Sequence, residues 1–245
     1  MCGDYPNSPY RIPLCGFYWP SSSIGRGLYL IIIPTIVSKL AAVPKTPVPL
    51  FLASSSPRRA QLLSQMGVRF SILDAALCAV DETPKPFEPP VALVERLAQA
   101  KAIKALQAPC LARGGVVISG DTLVIHSQTP IGKPRDGADA RAMLRQLQGT
   151  THQVITAIAV ADASQCRVIS VATEVTLAPL TAAKIAAYVA TGEPMDKAGA
   201  YALQGIGAQF VQHIEGSWGA VVGLPQYETA QLLAAFAQRP LWFES

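Results

Sequence analysis

Charge, histidine and cysteine are all in short supply in this 245-residue chain. Only 15% of residues are charged while 50% are hydrophobic. That excludes global disorder, which needs the opposite balance. The net charge of +4 is too mild to mark a nucleic-acid binder by itself. The five cysteines (Cys2, Cys15, Cys78, Cys110, Cys166) are odd in number and scattered. They form no C-x-x-C pair, and no histidine sits at metal-ligand spacing from them. A reduced, cytosolic setting is the simplest reading. His126, His152 and His213 are lone residues and build no H-E-x-x-H. G-x-x-x-x-G-K is missing, because position 127, upstream of Gly132-Lys133, is Ser. No G-x-S-x-G occurs either. Metalloproteases, P-loop NTPases and serine hydrolases lose support accordingly. The prolines and glycines follow no fixed period, which excludes collagen-like repeats. The apolar stretch Gly27 to Ser38 falls short of the roughly 20 residues that span a bilayer, and Pro34 interrupts it.

The scarce charge is unevenly spread. Residues 1–50 hold four basic side chains (Arg11, Arg26, Lys39, Lys45) and one acid (Asp4), hence +3 of the +4. They also hold eight of the 20 prolines. A signal peptide is one reading of this segment: basic residues, a short apolar core, then Ala41 and Ala42. A long, Pro-rich, aromatic n-region argues against it. The preferred expectation is a poorly ordered extension or a misassigned start over residues 1–48, with one domain over 49–245.

From Leu50 the punctuation becomes regular. Leu50–Ala53 reads as a strand, followed by a helix from Pro57 to about Met66 with Ser56 as its cap and Gly67 as its stop. Val68–Leu73 reads as a strand, 74–90 as a Pro-rich loop, and Val91–Leu106 as a helix. Val116–Thr122 reads as a buried strand continuing to Ile125 and a turn over Ser127–Pro130. A helix capped by Asp136 runs to Leu147, and a hairpin joins Val154–Val160 to Val168–Leu177 around Asp162. Thr181–Ala190 is helical, 192–207 is a Gly-rich loop, Phe210–Ile214 a strand and Tyr227–Phe236 a closing helix. Alternating strands and helices give an α/β class with a mixed sheet.

What remains for chemistry is a set of cations and carboxylates. Ser54-Ser55-Ser56-Pro57-Arg58-Arg59 sets hydroxyls and backbone N–H groups at a helix N-terminus, where the dipole favours phosphate. Two arginines there oppose the dipole, a conflict an anion would relieve. The alternative is that both point into water. Asp121 ends an apolar strand, the place where open α/β sheets bind ligands. It could hold a metal, take a proton from water, or merely cap a turn. Glu82, Lys101, Lys133, Lys197 and Gln204 are each explicable singly as solvated residues. Together they read as cations for a polyphosphate and acids for a metal.

These residues lie in a longer ordered series. It runs Ala53-Ser54-Ser55-Ser56-Pro57-Arg58-Arg59, Val80-Asp81-Glu82-Thr83, Arg96-Leu97-Ala98 with Lys101-Ala102, Gly120-Asp121-Thr122 and Gly132-Lys133-Pro134. It continues through Thr151-His152-Gln153-Val154, Gly192-Glu193-Pro194, Asp196-Lys197-Ala198-Gly199-Ala200-Tyr201, Gln204-Gly205 and Val222-Gly223-Leu224-Pro225. From about Leu50 to Leu233 the chain resembles the Maf family of nucleoside triphosphate pyrophosphatases, also called septum-formation proteins. The resemblance implies a mixed twisted sheet with flanking helices in two lobes around a nucleotide cleft, as in Maf- and ITPase-like folds. It implies hydrolysis between the α and β phosphates with a divalent metal, Mg²⁺ or Mn²⁺, and the cysteine usage sets the expected location as cytoplasmic. Asp121 takes the place of the proposed proton acceptor. Arg58, Thr122 and Gln204 fall on positions linked to substrate choice. Ser56, Arg59, Lys101 and Lys133 fall on the phosphate cleft, and Glu82 with Asp121 on the metal.

Asp196–Tyr201 and Gln204-Gly205 resemble the dTTP/UTP branch rather than the 7-methyl-GTP branch, which carries a Glu-Gly pair. Ser119, Ala202-Leu203 and Trp218-Gly219 depart from the usual pattern without removing a charged site residue. The alternatives are a 7-methyl-GTP pyrophosphatase and a non-catalytic protein acting in cell division. The expected partner is a nucleoside triphosphate, with neither nucleic acid nor membrane, and the resemblance leaves room for a homodimer.

Overall fold

A computed structural model describes residues 48–238. The expected N-terminal extension, its apolar stretch and the signal-peptide reading lie outside the described residues, save Val48. The elements are β1 (Leu50–Ala53), α1 (Pro57–Gln65), β2 (Ser71–Ile72), α2 (Pro90–Ala105), β3 (Val116–His126), β4 (Thr129–Ile131) and α3 (Gly137–Leu147). They continue with β5 (Thr151–Ala161), β6 (Cys166–Leu177), α4 (Ala182–Ala190), β7 (Val211–Glu215), α5 (Trp218–Val222) and α6 (Gln226–Ala234).

The expected α/β class with a mixed sheet is what forms. Seven strands lie in the order β2-β1-β3-β5-β6-β7, with β4 folded back on β3. β1 runs parallel to β2 and β3, while β3 to β7 pair antiparallel. Three apolar clusters surround the sheet. On one face, Val94, Ala98 and Ala102 of α2 cover Val117, Ala157 and Ala159. On the other, Leu62 and Leu63 of α1 and Leu233 of α6 cover Leu52, Ile118 and Ile158. Beyond these, Leu144 of α3 and Ile185 and Tyr188 of α4 pack on Val124, Val154 and Val175. The first two clusters make one lobe and the third makes the other. Side chains alternate along β3, so Val117, Ser119 and Asp121 face α2 while Ile118, Gly120 and Thr122 face α1.

Four local readings shift. The strand expected over Val68–Leu73 shrinks to Ser71–Ile72, because it pairs only with β1 at the sheet edge. The turn expected over Ser127–Pro130 is Ser127-Gln128, both at positive φ, and Pro130 sits in the short outer strand β4, where no donor is needed. Ser56 stands at the start of α1, but its side chain makes no capping bond. The 192–207 segment folds into 3-10 turns at Glu193–Asp196 and Ala198–Ala200, with a third opening at Ile206. Helix α5 has one local signal, Ser217, whose hydroxyl accepts from the Ala220 amide. Among the described residues no helix is long and apolar enough to cross a membrane.

His152 on β5 is buried, with Nε2 2.8 Å from the Tyr201 hydroxyl. Burial, with help from nearby His126, lowers its pKa to about 4. Below about 6.5 the unfolded chain protonates this imidazole while the folded chain does not. Stability therefore falls as pH drops from about 6.5 to 4, by on the order of 3 kcal/mol at full effect. Urea unfolding at several pH values should give a shallower acid slope for His152→Gln than for the unaltered protein. Equal slopes would contradict a buried neutral imidazole.

Candidate active site

The turn after β1 brings Ser54 to Arg59 to the mouth of a cleft of about 830 Å³ between the lobes. Pro57 opens α1 with its fixed φ, and the first helical bond is the Ala60 amide donating to the Ser56 carbonyl at 3.4 Å. The amides ahead of it are left facing the cleft end of the helix.

The two arginines divide. Arg59 is 9% exposed and turns inward. Its Nε donates to the Gly223 carbonyl at 2.8 Å, one terminal nitrogen to Ser54 Oγ at 3.0 Å and the other to Thr122 Oγ1 at 3.0 Å. Burial lowers its pKa, partly countered by the negative charge of Asp121. Arg58 stays at the cleft surface, 3.2 Å from Asp196 Oδ2. Asp196 also pairs with Lys197, whose Nζ donates to the Glu193 carbonyl at 2.7 Å.

Thr122 is committed by its neighbours. Its Oγ1 lies 2.8 Å from Thr156 Oγ1, and Thr156 donates to the Ala220 carbonyl at 2.7 Å. With the Thr156 proton used, Thr122 donates to Thr156 and accepts from Arg59. Gly120 is required by the same packing. A Cβ there would stand 2.7 Å from Ile158 Cδ1, 2.9 Å from the Ala157 carbonyl and 3.0 Å from Arg59 Nε.

The carboxylates converge on one lysine. Lys101 Nζ on α2 lies 2.7 Å from Asp121 Oδ1 and 2.6 Å from Glu82 Oε1. Burial works against its charge, but the two carboxylates outweigh that and hold its pKa above the ordinary value. The second oxygen of Asp121 makes no hydrogen bond among the described residues. Glu82 reaches this point because Arg96 ties its loop to α2, with two bonds to Glu88 at 2.6 and 2.8 Å and one to the Thr83 carbonyl at 3.1 Å. Lys133 is exposed on the far rim, where the Gly132 carbonyl accepts from the Gly199 amide at 3.1 Å. Gln204 is exposed on the same lobe.

All the residues singled out from sequence thus line one cleft: Ser56, Arg58, Arg59, Glu82, Lys101, Asp121, Thr122, Lys133 and Gln204. Lys197 joins them. Asp196, Glu193 and Arg96 appeared in the sequence only as motif letters. Their roles become visible through ion pairs and amide contacts that spacing does not encode. No group of three or more His, Cys, Asp or Glu gathers among the described residues. A metal here would have Glu82 and Asp121 as its protein donors. Two hard carboxylate oxygens suit Mg²⁺ or Mn²⁺, which take one or two carboxylates plus phosphate oxygens and water. The Lys101 ammonium between them shows that the pair accepts a cation.

Residues 49–236 match the Maf-like protein family. The chain is 50% identical over 186 residues to the dTTP/UTP pyrophosphatase of Pseudoalteromonas atlantica, covering 76% of this chain and 95% of that protein. It is 48% identical over 192 residues to that of Pasteurella multocida, covering 76% and 94%. It is 46% identical over 187 residues to that of Vibrio cholerae, covering 76% and 97%.

Gly120→Ala forces a methyl against Ile158, the Ala157 carbonyl and Arg59. Overpacking of this kind costs about 1–3 kcal/mol. The urea midpoint should fall accordingly, and an unchanged midpoint would show that Arg59 can yield.

Proposed function

The chain belongs to the Maf-like protein family, and from the cleft it carries we propose that it hydrolyses nucleoside triphosphates, dTTP and UTP foremost, to the monophosphate and pyrophosphate. The observation that carries the reading is the Asp121–Lys101–Glu82 cluster, which lines one cleft together with Arg58, Lys133 and Lys197. Carboxylates and a surplus of cations in one cleft suit a polyphosphate ester and the water that attacks it.

In this reading water attacks the α-phosphorus. Asp121 takes its proton at the carboxylate oxygen that Lys101 leaves open. The α–β bridging bond breaks, and pyrophosphate leaves with the bonding electrons. Lys101 orients Asp121 and Glu82 from the α2 side. Arg58 and Lys133 bind phosphate oxygens and offset the charge that grows on the leaving group. The α1 N-terminus adds backbone N–H donors. A divalent cation held by Glu82 and Asp121 would neutralise phosphate charge and polarise the reacting phosphoryl group. Arg59 holds the floor rather than spending all its donors on substrate. The Gln204 amide both donates and accepts, which suits the edge of a pyrimidine without adding charge.

A nucleotide panel with Mg²⁺ or Mn²⁺, assayed for pyrophosphate, should show turnover of dTTP and UTP ahead of CTP, GTP and 7-methyl-GTP. Asp121→Asn should lower kcat by about 10²–10⁴-fold with nucleotide still bound, the range for loss of a positioned base. No pyrophosphate from any nucleotide with either metal would overturn the reading.

A further inference from the structure

The segment bearing Gln204 has little of its own to hold it. Gln204, Gly205 and Ile206 are all exposed. Two side chains grip the segment from behind. Glu193 Oε2 accepts from the Ile206 amide at 2.9 Å, and Oε1 accepts from the Gly207 amide at 3.0 Å and from the Tyr188 hydroxyl at 2.8 Å. The Tyr188 oxygen in turn accepts from the Ala202 amide at 3.0 Å. The pair therefore clamps the segment on both sides of Gln204. Tyr188 is itself fixed, with its ring edge-on to Phe210 at 4.9 Å.

The fit leaves no slack. A Cβ at Gly205 would stand 2.4 Å from Glu193 Oε2, so the glycine that follows Gln204 is dictated by this carboxylate. Three donors point at the two oxygens of Glu193. An acceptor-only group satisfies them all, whereas an amide would turn an N–H₂ towards an N–H. Bonds from amides to a carboxylate are also the stronger kind.

We infer that Glu193, through Tyr188 and the amides it holds, is the positioning residue that sets Gln204 against the nucleobase and so governs which base the site accepts. The inference rests on the nucleotide reading above. Glu193 touches neither phosphate nor base in this arrangement; it acts through Gln204.

The test compares a substrate that has a base with a ligand that has none. Steady-state kinetics are measured with UTP and GTP, and inorganic tripolyphosphate serves as a competitive inhibitor. Glu193→Gln should raise KM for UTP roughly ten-fold, about the worth of one hydrogen bond to the base. It should leave kcat within about two-fold, as expected when only uniform binding is lost, and leave tripolyphosphate inhibition unchanged. The preference for UTP over GTP should shrink. Glu193→Gln combined with Gln204→Ala should be no worse than Gln204→Ala alone, because both act on one contact. Tyr188→Phe keeps the packing on Phe210 and should shift KM in the same direction by less, and it carries the test if Glu193→Gln does not fold. Equal weakening of UTP and tripolyphosphate, or additive losses with Gln204→Ala, would overturn the inference. An unaltered protein that turns over no nucleotide sinks the underlying reading as well. An active one whose Glu193→Gln variant keeps its KM sinks this inference alone.

Discussion

A guanidinium taken out of water is costly, and Arg59 is the group around which the cleft is organised. Its desolvation costs several kcal/mol, offset by hydrogen bonds worth about 1.5–3 kcal/mol each to a charged donor. Those bonds join three separate parts of the chain: Ser54 after β1, Thr122 on β3 and the Gly223 carbonyl after α5. Removing any one acceptor leaves a buried charge short of a partner. The tie therefore fixes the Ser54–Arg59 turn against the strand that carries Asp121. Gly120 is the opening through which the side chain reaches, and Thr156 completes the chain of hydroxyls.

On this frame the cleft keeps its charges partly compensated. Arg58, Arg59, Lys101, Lys133 and Lys197 line it against Glu82, Asp121 and Asp196. Lys101 between two carboxylates, and Asp196 between Arg58 and Lys197, hold the side chains in place before any ligand arrives. In the proposed reading, the positive surplus is what a polyphosphate meets. Such preorganisation reduces the side-chain ordering that binding would otherwise require.

The sequence showed this site more clearly than it showed the fold's details. Long, strongly patterned stretches such as Val116–Ile125 and Thr181–Ala190 announced their structure, because hydrophobic period and caps agree. Short elements did not. β2 exists only as two residues paired to β1, and α5 lasts a single turn, so both depend on tertiary partners that local pattern cannot show. The charged residues of the cleft were legible as a set, since so few charges occur in the chain that their clustering in motifs stood out. Their division of labour was not. Arg58 and Arg59 are adjacent and identical in sequence, yet α1 turns one to the cleft surface and the other into the core. Glu193 and Arg96 read as ordinary motif letters, because what defines them is which backbone amides and carbonyls the fold brings to them.

The two roles proposed for the cleft fall on structures of different stiffness. Asp121 lies within an eleven-residue strand, opposite Ala157 of β5 and two residues past the end of the β1 pairing, and Lys101 rises from a sixteen-residue helix buried against it. The strand cannot slide there without breaking its register with β5. Gln204 instead projects from a segment of short 3-10 turns, held by one carboxylate and one phenol. In the proposed reading, changes in that segment alter base contacts while the reacting groups keep their places. A scaffold built this way would separate the choice of base from the chemistry on phosphorus that the proposed function requires. That separation is physical: the strand answers to backbone pairing, and the loop answers to Glu193.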